Sequence, residues 1–228
     1  MKKLNYSKLI NTLNLEEVGE LPQITGWSGP VSELDAIDIR KILEDSSVFC
    51  KYDGFLLGWD AKLTNYLDCA LINRVGFAVD NKLKKLLERY SLPQHAFYDL
   101  KIEDVDIPYY LFHALDSTQL YEDINFEKSI FEYFQSKKIG VQGTVQLNSF
   151  NQWFTKRAEL QENLSPAGRV SIEIRKLNLK QGTVVPDLIR LPGTVGYYIS
   201  EPLKQKLLDE RITGVDFEES DIEFWQAE

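Results

Sequence analysis

Few side chains in this 228-residue chain have the chemistry of a reactive centre. There are two histidines, His95 and His113, and two cysteines, Cys50 and Cys69. A metal site needs His, Cys or carboxylate ligands at spacings that converge on one ion. Neither histidine has such a partner at i+4, and neither HExxH nor CxxC occurs. GxSxG elbows, Walker loops and GxGxxG turns are missing as well. His113 and Asp116 have the types of a general base and the carboxylate that orients it. However, His113 follows the apolar run YYLF on a predicted strand, where a packed imidazole is the ordinary role. Cys69 would act as a nucleophile only with a histidine beside it in space, and is otherwise a small buried hydrophobe. The run EDVD, Glu103 to Asp106, lacks the ligand spacing of a calcium loop and predicts a solvated turn. No catalytic residue, metal or cofactor is expected from these residues, and the chain is expected not to be an enzyme.

What the sequence does offer is charge. Acidic residues outnumber basic ones by 35 to 26, for a net charge of −9. That balance repels nucleic acid and anionic lipid and attracts basic partners. The stretch from Lys137 to Lys180 runs against it, with eight Lys and Arg and three acids; it forms either a solvated face or a seat for an anionic ligand. At the C-terminal end Asp216, Glu218, Glu219, Asp221, Glu223 and Glu228 crowd around Phe224 and Trp225. An aromatic anchor ringed by charge suits a partner-binding hot spot, so Glu218, Glu219, Asp221, Glu223, Phe224 and Trp225 are the candidate partner-binding residues. The alternative is that Trp225 tucks into the core. Two cysteines are too few for a disulfide framework and fit a reducing compartment. The N-terminal MKKLNYSKLINTLNL has no uninterrupted apolar core for a signal peptide, and no run reaches the length of a membrane span. A cytoplasmic protein with no nucleic-acid or membrane partner is expected.

Local patterns say which elements must position these groups. Leu4, Leu9, Ile10 and Leu13 predict a short N-terminal amphipathic helix, followed by the Gly- and Pro-rich loop GELPQITGWSGP. Leu34, Ile37, Ile42 and Leu43 predict a second helix, and a turn at Asp53-Gly54 leads into FLLGW. Trp59 to Asn73 fits either a helix or a strand with loops. PYYLFHAL is a strand; INFEKSIFEYF is either a strand pair or a helix. Ser149 caps a helix beginning at Phe150 and running through FNQWFTKRAELQENL, and RVSIEIRKLNL alternates as a strand.

One pattern occurs twice. VGFAVDNKLKKLLERYSLPQHAFYDL begins at Val75, and VGYYISEPLKQKLLDERITGVDFEES begins 120 positions later at Val195. In each a short strand runs into a capping residue, Asp80 or Ser200. A helix follows, with Leu83, Leu86, Leu87 and Tyr90, or Leu203, Leu207 and Leu208, as its buried face. Pro93 or Thr213-Gly214 stops the helix, and a second strand begins. Val, Gly, Leu, Lys, Leu and Phe recur between 75/195, 76/196, 83/203, 84/204, 87/207 and 97/217. The expectation is an α+β fold of mixed sheets built on two pseudo-repeated strand-helix-strand units, at about 75–100 and 195–220. It is read as one domain over 1–228 with halves near 1–115 and 116–228.

The segment DLIRLPGTVGYYISEPLKQKLLDERITGVDFEE resembles the C-terminal signature of a bacterial family grouped with the immunity proteins of polymorphic toxin systems. The resemblance is carried by Ile189-Arg190-Leu191-Pro192-Gly193, by YYIS ending at Ser200, by Leu203, Lys204 and Leu207, and by Gly214-Val215-Asp216-Phe217. Upstream, IPYYLFHALDSTQLYEDINFEKSIFEYF, with Lys128, Ser129 and Phe131, is similar to the family's central segment, and the first repeat copy resembles its N-terminal strand-helix unit, with Asp80 where Ser is usual. The resemblance implies an intracellular protein that binds and neutralises a cognate toxin domain, and no shared catalytic residue. A toxin domain acting on nucleic acid would be basic, which matches the acidic composition here. The alternatives are a non-catalytic scaffold or ligand-sensing module of the same fold and, more remotely, a small hydrolase or transferase using His113 and Asp116.

Overall fold

The computed structural model describes residues 1–28, 54–69, 76–116, 118–136, 138–162, 168–191, 194 and 196–228. In chain order the elements begin with β1 (Lys2–Leu4), β2 (Tyr6–Asn11), α1 (Leu15–Val18), β3 (Ile24–Trp27), β4 (Phe55–Leu57) and β5 (Tyr66–Leu67). Then come β6 (Gly76–Asp80), α2 (Asn81–Leu87), β7 (Gln94–Leu100), β8 (Tyr109–Asp116), α3 (Thr118–Glu122) and β9 (Ile130–Gln135). The chain continues with β10 (Gly143–Val145), α4 (Phe150–Glu162), β11 (Val170–Leu179) and β12 (Leu188–Ile189). It ends with β13 (Tyr197–Ser200), α5 (Glu201–Asp209), β14 (Val215–Glu219) and β15 (Glu223–Gln226). This is an α+β fold. The helix predicted around 34–43, the turn residue Asp53 and Cys50 lie outside the described residues.

Asp80 and Ser200 do what their types predict. Asp80 Oδ1 accepts from the Leu83 amide at 2.8 Å, and Ser200 Oγ from the Leu203 amide at 3.4 Å. Each satisfies a donor the first helical turn leaves open. The strands flanking α2 enter a sheet of order β5-β6-β8-β7, and those flanking α5 enter one of order β12-β13-β2-β14. In both sheets all neighbours are antiparallel, and the two strands joined by the helix lie either side of a central strand. The source of that central strand differs. β8 follows β7 directly, whereas β2 comes from the start of the chain.

The predicted N-terminal helix is therefore corrected to β1 and β2. Its apolar spacing fits a helix, but β2 pairs with β13 on one side and β14 on the other, with Leu9 opposite both Tyr197 and Phe217. Tertiary pairing overrides a weak local preference. Leu208, predicted on the buried face of α5, is 49% exposed, and that face narrows to Leu203 and Leu207.

The inner faces of the two sheets and both helices share one core. It holds Phe77 and Phe112 from one sheet, Leu9 and Tyr197 from the other, and Leu83, Leu87, Leu203 and Leu207 from the helices. Each such side chain contributes roughly 1.5–3 kcal/mol by leaving water. A reciprocal clasp closes this arrangement. Just before β12, Asp187 accepts from the Ser91 amide beyond α2 at 3.0 Å and from the Ser200 hydroxyl at 2.6 Å. Just before β5, Asn65 accepts from the Thr213 amide beyond α5 at 2.9 Å and donates to Asp80 at 2.7 Å. Each sheet thus holds the helix end of the other unit.

The outer faces are covered differently. The two-stranded β3-β4 sheet packs Ile24 and Phe55 against Leu67, Ala78, Leu100 and Leu111. On the other side a mixed sheet of order β1-β15-β11-β9-β10, with β11 and β15 parallel, packs Phe131, Leu177 and Phe224 against Ile189 and Tyr198. The segment INFEKSIFEYF resolves into loop followed by β9, because β10 and β11 claim its two edges.

Candidate functional site

The two histidines differ in exposure, His113 being buried and His95 half-buried. His113 is fully buried on β8, opposite Gly76 and Ala96, with its ring 6.0 Å from that of Tyr98. Among the described residues neither ring nitrogen has a hydrogen-bond partner. Burial, reinforced by the positive charge of Arg190, holds its pKa below the ordinary value and keeps the imidazole neutral. The side chain of Asp116 lies outside the described residues. His95 Nδ1 lies 2.8 Å from the Pro93 carbonyl, and its ring stacks on Phe112 at 5.3 Å. Cys69 is buried beside Ile24, Leu67 and Ala78. Asp104 of the EDVD run adopts φ 58° in an exposed turn, and among the described residues no cluster of three or more His, Cys, Asp or Glu could hold a metal ion.

The C-terminal candidates are split between two sheets. Asp216, Glu218 and Glu219 are exposed on β14, the edge strand of its sheet, with Glu218 in register with Lys8. Asp221 is occupied internally. Its carboxylate accepts from the Tyr198 hydroxyl at 2.8 Å and faces Lys8 Nζ at 3.7 Å. Burial and that carboxylate together push the Tyr198 phenol well above its ordinary range. Phe224 is 1% exposed and packs between Tyr6 and Tyr198, so it belongs to the core and not to a partner surface. Trp225 lies partly buried in the sheet, opposite Lys3 and Asn178, with Lys176 Nζ 5.0 Å from its ring. Its indole donates to Glu223 at 3.2 Å. Its neighbours are therefore two lysines and one glutamate, a mixed setting where a ring of acids was expected.

The basic stretch from 137 to 180 is likewise dispersed. Lys156 pairs with Glu159 on α4, Arg157 donates to the Val170 carbonyl, and Arg175 donates to that of Asp221. Lys180 lines the rim of an open groove of about 730 Å³, where it donates to the Glu122 carbonyl. Tyr121, Phe126 and Phe150 form the aromatic wall of this groove, with Tyr121 and Phe150 stacked at 4.2 Å.

A surface that the sequence left ambiguous carries the most unusual side chain. Trp59 is 97% exposed in the turn after β4. Beside that turn runs the segment around α1, where Asn14 caps the helix by accepting from the Glu16 amide at 3.1 Å. The two segments are bolted together. Lys62 N donates to the Val18 carbonyl at 2.8 Å and Lys62 Nζ to the Glu16 carbonyl at 2.7 Å, while Asp60 N donates to Glu20 at 3.3 Å. Buried Gln23 donates to the Lys62 carbonyl and the Thr64 hydroxyl and accepts from the Asp68 amide. Gly19, at φ 76°, lies so close to Asp60 that a Cβ there would sit 1.9 Å from the Asp60 carbonyl oxygen. Leu13, Leu15 and Leu63 are exposed on the same pair of segments. At its far side the Thr12 amide donates to the Gly214 carbonyl and the Gly214 amide to Glu17, which joins this surface to the start of β14. The one signal available in the sequence was a tryptophan in a Gly-Trp-Asp turn that fits neither helical nor strand periodicity.

Compared with protein-family profiles, curated proteins and solved structures, the chain matches none.

Proposed function

We propose that this protein is a non-catalytic, cytoplasmic immunity protein that neutralises a basic toxin domain by stoichiometric binding. The observation that carries the reading is the set of exposed carboxylates on the edge strand β14, Asp216 and Glu218 on one face and Glu219 on the other, in a chain of net charge −9. Such a set steers a basic protein into encounter and fixes its orientation, and an edge strand also offers backbone groups to an added strand. The resemblance of residues 187–219 to the toxin-immunity family supports the same reading.

The experiment is co-expression with the product of the adjoining upstream gene, followed by affinity measurement on the purified pair. The expected result is restored growth with a dissociation constant in the nanomolar range. Reversing Asp216, Glu218 and Glu219 to lysine is expected to slow association by about tenfold or more at low salt. Toxicity without rescue, or no complex, sinks the reading.

A second reading, a ligand-binding module, draws on the groove walled by Tyr121, Phe126 and Phe150. It predicts a thermal shift from some member of a small-molecule panel that is lost in Phe150→Ala.

A further inference from the structure

We infer that Trp59 is the anchor of a docking surface for a basic polypeptide, formed by Trp59, Leu13, Leu15 and Leu63 and rimmed by Glu16, Glu20 and Asp60. The inference rests on the reading of the protein as a binder of a basic partner, and it names the place where binding energy concentrates. Three observations carry it.

The first is exposure. A tryptophan buries more apolar surface than almost any other side chain when covered, yet Trp59 is left almost wholly in water with three exposed leucines on the two segments that form its surface. The second is rigidity. The two segments are cross-linked by the Lys62–Val18, Lys62–Glu16 and Asp60–Glu20 hydrogen bonds and by buried Gln23. An anchor on a pre-ordered support loses little entropy on binding, which separates a hot spot from a floppy loop.

The third observation is charge. Glu16, Glu17, Glu20 and Asp60 stand against Lys62 alone on these segments, and the hydrogen bond from the Gly214 amide to Glu17 ties them to the start of the acidic edge strand β14. The partner this chemistry fits is a polypeptide with Lys or Arg around an apolar pocket or side chain that receives the indole. A second copy of this chain would bring like charge against like charge.

The probe is a phage-displayed library of random 12-residue peptides selected against the full chain. Enriched peptides are expected to combine Lys or Arg with aliphatic or aromatic residues. They are expected to bind Trp59→Ala at least about 30-fold more weakly than wild type, as for a hot-spot truncation. Asp60→Lys should weaken them further at low salt than at high salt, and Trp225→Ala should leave them within about twofold. Because Trp59 buries almost nothing, Trp59→Ala is expected to keep the wild-type melting temperature. Failure to enrich any peptide, enrichment of acidic peptides, or equal binding to Trp59→Ala would overturn the inference. Self-association that Trp59→Ala abolishes would also overturn it, by assigning the surface to a second copy. The two readings fail separately. A product of the adjoining gene that binds wild type and Trp59→Ala equally removes the anchor and keeps the function; Trp59-dependent peptides with no binding of that product do the reverse.

Discussion

Replacing Asp187 with alanine tests the clasp between the two units. The carboxylate accepts from the Ser91 amide at 3.0 Å and from the Ser200 hydroxyl at 2.6 Å, and Ser200 is itself buried while serving as the cap of α5. Hydrogen bonds to an ionised group contribute about 1.5–3 kcal/mol each, and the solvent-exposed bond to Ser91 falls at the low end. The expected loss is about 3 kcal/mol. For a chain of this size each kcal/mol lowers the melting temperature by about 2–4 °C, so a drop of about 6–12 °C is expected. Asp187→Asn keeps one acceptor oxygen and is expected to lose about half as much. Asp216→Ala removes the same charge from an exposed position and is expected to change stability by less than about 0.5 kcal/mol. The assay is scanning calorimetry of the three variants beside wild type at one pH and ionic strength. If Asp187→Ala melts within about 2 °C of Asp216→Ala, the clasp does not hold the units together and the packing argument fails.

Other expectations follow from single positions. Gly214→Ala puts a Cβ 2.0 Å from the Tyr66 carbonyl oxygen at φ 87°, whereas Gly182→Ala, at φ 80°, meets nothing within 4 Å. Urea unfolding is expected to show a loss of at least about 3 kcal/mol for the first and about 1 kcal/mol for the second, the difference being the clash. Leu207→Ala is expected to lose about 2–5 kcal/mol by opening a cavity in the shared core, and Leu208→Ala less than about 1 kcal/mol. His113 has its folded pKa lowered by burial, so its contribution to stability is complete above the unfolded value of 6.5 and is lost as pH falls through the lower folded value. His113→Phe is therefore expected to flatten the stability profile between about pH 7 and 5; an unchanged slope would refute the burial argument.

What could be read from the sequence was governed by range. Asp80 and Ser200 were legible as caps because a cap bonds three residues ahead, within any local window. The β7 and β14 returns were legible because Pro93 and Gly214 mark a break after each helix, although α2 already ends at Leu87 and α5 at Asp209, where Arg211 turns the chain at φ 51°. β2 was not, since its partners start at Tyr197 and Val215 and nothing near Leu9 announces them. β9 stayed open between two readings until β10 and β11 were seen on its edges. The acidic edge was legible as composition, but neighbours in sequence do not share a surface. Glu218 and Trp225 lie in different sheets, and Phe224 alternates into the core beside an outward Trp225. Trp59 was hidden for the opposite reason, since burial of an aromatic is the default that only a tertiary view corrects.

The origin of the two central strands also sets an order of assembly. β6, α2, β7 and β8 are consecutive, so their pairings can close as soon as residue 116 has left the ribosome. β2 has to wait for β13 and β14, about two hundred residues later. At roughly 5–20 residues per second that interval is on the order of 10–40 seconds. For that time Leu9 and its neighbours lack the partners that flank them in the finished fold, and an unpaired segment of strand-forming sequence is open to pairing with the wrong chain. Its polar residues Lys8 and Asn11, one on each face and on either side of Leu9, are then placed as gatekeepers for the nascent polypeptide, a demand that the finished, doubly paired strand no longer shows.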